Sequence, residues 1–267
     1  MCIINNMVNK MLLDPLLRDG KGLFLAYDHG FEHGPTDFDE RNVDPSFIME
    51  IANKGGYTGI ILHYGVASKY YDGKVPLILK LNGKTNLVKG DPISLQVSTV
   101  EEAISLGAKA VGYTIYPGSI HEYIMFQEFS KIRRVAHDNG IGVLLWVYPR
   151  GQAIKNETAK EIVAYAARLA LELGADGAKI KYTGDPESFK WAVKSAGKVK
   201  VFMSGGPKAS TEIDFLTQVQ GVIDAGGSGV AVGRNVWQSK DPLKISKALK
   251  DMIFEGRRVE ELKELFT

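Results

Sequence analysis

Residues 158–184 read TAKEIVAYAARLALELGADGAKIKYTG, one complete helix, turn and strand. Thr158 and Glu161 have the spacing of a capping box. Ile162, Ala166, Leu169 and Leu173 form one apolar stripe at helical spacing, and Gly174 follows as a stop. The strand is short, Ala178 to Tyr182. Side chains alternate faces along a strand, so Lys179 and Lys181 share one face and Ile180 takes the other. In a buried parallel sheet an amine is placed where charge is costly to keep. Desolvation lowers a lysine pKa and frees the neutral amine as a nucleophile, the chemistry of a Schiff-base enzyme. A solvent-exposed strand end would leave both lysines without that role, and the rest of the chain decides between the two.

The unit recurs outward in both directions. Apolar strands are expected at Leu23–Asp28, Tyr57–His63, Val75–Leu81, Ala110–Tyr116, Gly142–Tyr148, Lys200–Ser204 and Gly229–Val232. Helical segments fall at 46–54, 99–106, 121–138, 186–196, 210–224 and 241–254, with a leading amphipathic helix over 7–19 ended by Gly20. A helix end followed by glycine and a strand recurs at Lys54-Gly55-Gly56, Leu106-Gly107-Ala108, Leu173-Gly174-Ala175 and Ala225-Gly226-Gly227. Each interval holds two strands, so eight strands are implied. Alternating buried strands and helices, eight times, predict a single α/β domain over 1–267, a closed (β/α)8 TIM barrel with a short N-terminal helix. A doubly wound open sheet is the structural alternative.

Composition agrees. The 267 residues are 45% hydrophobic and 24% charged, as in a soluble globular protein. The 29 glycines imply many tight turns. A net charge of +2 without a basic run argues against nucleic acid as partner. The single cysteine, Cys2, excludes an internal disulfide framework and a cysteine metal cluster. No signal peptide or membrane-length apolar run is read, so the expected location is cytoplasmic, with no membrane partner.

In a barrel the reacting groups sit at the C-terminal strand ends. Those ends carry Asp28, His63, Lys80 with Asn82, Tyr116, Tyr148 with Arg150, Lys179 with Lys181, Ser204, and Gly233 with Arg234. Ser204-Gly205-Gly206 and Gly233-Arg234 follow the last two strands, where barrels hold phosphate through backbone N–H groups and a helix N-terminus. Arg234 adds a bidentate donor. Trp146 and Tyr148 share a face. Tyr148 is placed to move protons if a cation eases its ionisation, or else is a core aromatic. Asp28 is a proton acceptor, an orienter of the amine, or a salt-bridge partner. His29, Glu32 and His33 have the types for zinc but no partner cluster, and contacts to substrate hydroxyl or phosphate are the preferred use for the histidines.

Six stretches resemble the archaeal-type class I fructose-1,6-bisphosphate aldolases, in family order over nearly the whole chain: AYDHGFEHG (26–34), YTIYPG (113–118), WVYPRG (146–151), AKIKYTGD (178–185), MSGGPK (203–208) and AVGRNVWQ (231–238). The resemblance implies a barrel that needs no metal or other cofactor and a homo-oligomer, a decamer. It implies that Lys179 rather than Lys181 forms the Schiff base, that Tyr148 is the proton donor and Asp28 the acceptor. It also implies that Arg150, Gly205, Gly206, Gly233 and Arg234 hold the phosphorylated substrate. The expected partners are a sugar bisphosphate and its triose phosphates. Two other readings stay open: the aminodideoxyheptulosonate synthase reaction, which uses the same lysine for a transaldol reaction, and an isomerase or non-catalytic phosphosugar-binding barrel.

Overall fold

Apolar runs of four to six residues with no polar face cannot rest against water on either side, and the chain resolves this by closing them into a ring. The computed structural model describes residues 12–266. Its barrel strands are β1 (Gly22–Ala26), β2 (Gly59–His63), β3 (Leu77–Lys80), β4 (Ala110–Ile115), β5 (Gly142–Val147), β6 (Gly177–Ile180), β7 (Lys200–Ser204) and β8 (Gly229–Val232). All neighbours run parallel, and β1 closes on β8 with Gly22 opposite Gly229. The (β/α)8 barrel expected from the repeat is the observed fold.

Two cores follow from strand alternation. One face of each strand packs outward on the helices. The other fills the barrel with Phe24, Ala26, Ile61, Ile78, Ala110, Leu144, Trp146, Phe202 and Ala231. Leu13 and Leu16 join this inner cluster and plug its N-terminal end. The expected helix over 7–19 is corrected here. Residues 7–11 lie outside the described residues, and 12–19 hold only a 3-10 turn, Asp14–Leu16. Pro15 supplies no N–H and its ring crowds the preceding turn, so a proline is tolerated at the start of the 3-10 turn but no α-helix runs through this segment.

The capping box at Thr158 is also corrected. The Thr158 hydroxyl and backbone N–H both donate to Asn156 Oδ1, at 2.9 and 3.0 Å. The helix begins later, at Lys160, with Ala159 as an unassisted N-cap. Its buried face is Val163, Ala164, Ala166, Ala167 and Ala170, rotated from the expected stripe because small side chains let it lie close to helix Pro186–Ser195. Capping boxes do form at Thr99 with Glu102 and at Thr211 with Asp214.

The repeated helix–glycine–strand joint is real, shifted by one residue in its first copy. Gly56, Gly107, Gly174 and Gly226 have φ of 76°, 73°, 76° and 83°, so Gly56 rather than Gly55 is the counterpart. A left-handed residue ends each helix and turns the chain into the next strand. Elements without a sequence expectation also appear. Helix Tyr64–Tyr70 follows β2, and a ribbon pairs Asn82–Gly83 with Leu95–Gln96 above β3. The loop expected after Asp28 is a short helix, His29–His33, followed by a 3-10 turn.

Candidate active site

One cleft of about 240 Å³ opens at the C-terminal ends of the strands. It is lined by each residue singled out from sequence: Asp28, His29, His33, Trp146, Tyr148, Arg150, Lys179, Ser204, Gly205, Gly206, Gly233 and Arg234.

Lys179 enters from β6, between Trp146 on β5 and Phe202 on β7, and is 4% exposed. Its Nζ lies 5.0 Å from the centroid of the Trp146 ring. Burial lowers its pKa, Asp28 pulls it back, and Arg234 lowers it further. Lys181 lies beyond the end of β6 and pairs with Glu157. The two lysines share a face, as alternation requires, but one is sealed in and the other lies beyond the strand, paired with a carboxylate.

Asp28 is the N-cap residue of helix His29–His33. Burial opposes its charge, but Lys179, His29, Lys80 and His63 outweigh burial and hold the carboxyl well below the usual range. His29 and His63 are themselves brought by burial to about 4, so at neutral pH a lysine ammonium carries this effect. Both histidines leave a buried Nδ1 without a partner.

The two neutral histidines give a pH prediction. An unfolded histidine takes up its proton near 6.5, a folded one here only near 4. The unfolded state therefore binds more protons as pH falls through that window. Folding stability should decline from about pH 6.5 to about pH 4, read as urea midpoints along a pH series; a flat series over that range would contradict the burial of both rings.

Tyr148 donates to or accepts from Ser204 Oγ at 3.0 Å. Burial raises its pKa, and the Arg150 guanidinium, 5.5 Å from the ring centroid, offsets part of the rise. Arg150 also meets Glu157 at 3.1 Å and Glu32 at 3.5 Å, and Lys84 meets Glu32 at 3.0 Å. These paired charges rim the cleft at one end.

At the other end lie the two glycine turns. Asn235 fixes the first, its side-chain amide donating to the carbonyls of Gly205 and Pro207 at 2.8 and 3.0 Å. A Cβ on Gly233 would fall 2.4 Å from His29 Cε1 and 2.8 Å from the Ala26 carbonyl oxygen, so only glycine fits there. Arg234 Nη1 lies 3.5 Å from Asp37, and its buried Nε has no partner, a donor left over beside the turns. His33 is tied to the same Asp37. Glu32 answers to cations and His33 to a carboxylate, so these side chains are committed elsewhere than to a shared metal. Among the described residues no cluster of three or more His, Cys, Asp or Glu is arranged to hold a metal ion.

The structure adds Thr114 and Glu157 to the site, and it brings in Lys80, His63 and Asn82, which the strand-end reading named without a role. Lys80 carried the same signal as Lys179, a charge inside the apolar run VPLILKL. Glu157 had none, because its partners come from the ends of other strands.

Comparison with known proteins places this geometry. A sequence profile of DeoC/LacD family aldolases matches residues 23–239. A Thermoproteus tenax protein named fructose-bisphosphate aldolase class 1 is 58% identical over 246 residues, 91% of this chain and 94% of its own. A Halobacterium salinarum protein of the same name is 46% identical over 252 residues, 92% and 95% of the two chains. A solved archaeal fructose-1,6-bisphosphate aldolase, its catalytic lysine covalently bound to the carbinolamine intermediate of the substrate, superposes with a TM-score of 0.89 at 57% identity, covering 91% of this chain and 98% of that one.

Proposed function

The chain belongs to the DeoC/LacD family of aldolases, and from that premise we propose that it is a class I fructose-1,6-bisphosphate aldolase, cleaving its substrate reversibly to dihydroxyacetone phosphate and glyceraldehyde 3-phosphate. The observation that carries this is a buried lysine of lowered pKa on β6 that shares one cleft with an ionised aspartate, Tyr148 and the glycine turns after β7 and β8.

Lys179, as the free amine, attacks the C2 carbonyl. The carbinolamine loses water to give an iminium, and the Asp28 carboxylate stabilises that positive charge. The iminium then accepts the electron pair released when C3–C4 breaks. The C4 hydroxyl passes its proton to the Asp28 carboxylate, glyceraldehyde 3-phosphate leaves, and an enamine remains on Lys179. Protonation at C3 and hydrolysis return the amine and release dihydroxyacetone phosphate. Tyr148, kept neutral by burial, is the group for the C3 proton, and the nearby cationic iminium and Arg150 favour its transient ionisation. Asp28 is held too strongly acidic to be a lasting proton store. It orients the amine, steadies the cation and holds the C4 proton only in passing.

The N–H groups of Gly206 and Gly233, with Arg234, take one phosphate, and His29 and His33 lie on that same side of the cleft; Gly205, whose N–H goes to the Ala231 carbonyl, shapes the turn, and Arg150 takes the other end. Holding both ends sets C2 over Lys179, so binding supplies proximity. Exposed Tyr123, Tyr165 and Trp191 on three outer helices support a homo-oligomer, and the resemblance supports a decamer as its form. The whole chain acts as one catalytic barrel. Among the described residues no helix is long and apolar enough to cross a membrane, and a cytoplasmic location is part of this reading.

Incubation with fructose 1,6-bisphosphate alone tests the assignment. Both triose phosphates should appear in equal amounts without an added acceptor, and a strong chelator should leave the rate unchanged. Release only when a second carbonyl acceptor is supplied would favour the transaldol reaction instead.

A further inference from the structure

Two lysines, not one, are buried at the polar end of the barrel. Lys80 ends β3 and is 3% exposed. Its Nζ lies 5.4 Å from the Trp146 ring, the same ring that Lys179 approaches. The space for both is made by Gly112, opposite Lys80 on β4. A Cβ there would fall 2.4 Å from the Trp146 ring and 3.3 Å from Lys80 Cδ. A glycine inside a strand weakens it and marks a close approach.

The amines differ in what surrounds them. Lys80 Nζ donates to the Asn82 carbonyl oxygen at 2.7 Å and to Asn82 Oδ1 at 2.6 Å. Asn82 cannot turn away. Its Nδ2 donates to the carbonyls of Ser94 and Thr114 at 2.9 and 2.7 Å, and its Oδ1 accepts from Thr114 N–H at 2.7 Å. Two fixed acceptors suit an ammonium, which has donors only. Among the described residues Lys179 Nζ has no matching pair.

The two amines share the nearby charge of Asp28, so the fixed acceptors at Asn82 separate them. Asp28 from the end of β1 acts on both amines, Glu32 from helix His29–His33 acts on Lys80, and Arg234 after β8 acts on Lys179. His29, His63 on β2 and Tyr148 after β5 are neutral at pH 7. One nearby carboxylate balances one ammonium, and a second like charge at the same site is disfavoured. We infer that Lys80 is a positioning residue that keeps the site's shared proton as an ammonium on Asn82, and so leaves Lys179 as the free amine. This rests on the assignment of Lys179 as the Schiff-base residue. Burial with a charged Lys179 alongside brings Lys80 down to about 7, against the pull of Asp28 and Glu32; a neutral Lys179 removes one like charge, which favours the ammonium on Lys80.

The test is the pH dependence of trapping with dihydroxyacetone phosphate and cyanoborohydride, read as the fraction of Lys179 reduced to the secondary amine. Without Lys80, Asp28 serves Lys179 alone. In Lys80→Met the trapping midpoint should move up by about one pH unit, a tenfold change in free amine. In Lys80→Arg, permanently charged, it should stay at or below the wild-type midpoint. An unshifted Lys80→Met midpoint, or an equal rise in both variants, overturns the inference. If the variants do not fold, titration of ε-15N-lysine resonances in the wild-type protein decides it. Lys179 losing its proton at lower pH than Lys80 supports the inference, and the reverse order overturns it. Failure of the Schiff-base assignment itself looks different: the wild-type protein then yields no Lys179 adduct at any pH.

Discussion

Lys179→Met should lose aldol cleavage by at least roughly 10⁴-fold, because without the amine there is no covalent electron sink and the remaining groups act only in concert with it. The same substitution should leave the melting temperature unchanged or raise it. Lys179 is 4% exposed and has Trp146 beside it, and methionine fills a similar volume without a group to desolvate. Activity and stability therefore move apart in this variant. A parallel loss of both would mean that Lys179 is a structural residue whose removal disturbs the barrel. Steady-state cleavage and a thermal melt on one preparation separate the cases.

Tyr148→Phe is the second large effect, and it acts at a different step. The ring stays beside Arg150, and only the hydroxyl that meets Ser204 is lost. Proton transfer by a positioned group contributes on the order of 10²–10⁴ in rate, so kcat should fall within that range. Iminium formation needs Lys179 and Asp28 rather than Tyr148, so the variant should still be trapped by borohydride with dihydroxyacetone phosphate. Its exchange of the C3 proton of dihydroxyacetone phosphate with solvent should slow with kcat. Normal exchange alongside a reduced kcat would assign the proton to another group.

What could be read from residue order was whatever depends on local pattern. Eight apolar runs, four glycine joints and polar strand ends specify a barrel and gather a site, because in this architecture every C-terminal strand end faces one place. What could not be read came from partners distant in sequence. Thr158 has a capping residue's spacing, yet Asn156 takes its hydroxyl while Glu157 turns to Lys181 and Arg150, and the helix starts late. Pro15 interrupts an otherwise helical pattern at the base of the barrel. Lys80 was visible as a charge in an apolar strand. Its meaning required Gly112 and Trp146 from two other strands, and Asn82, two residues on, held in place by Ser94 and Thr114. Lys179 and Lys181 were indistinguishable by alternation alone, and they part only where β6 ends at Ile180.

The central claim is that one sealed amine, among several lysines in the cleft, joins covalently to the ketose phosphate. Reduction of the complex with dihydroxyacetone phosphate by borohydride, followed by digestion and peptide mass mapping, tests it most directly. The account expects a single modified site at Lys179. An adduct on Lys80 or Lys181, or no adduct while cleavage proceeds, would contradict it.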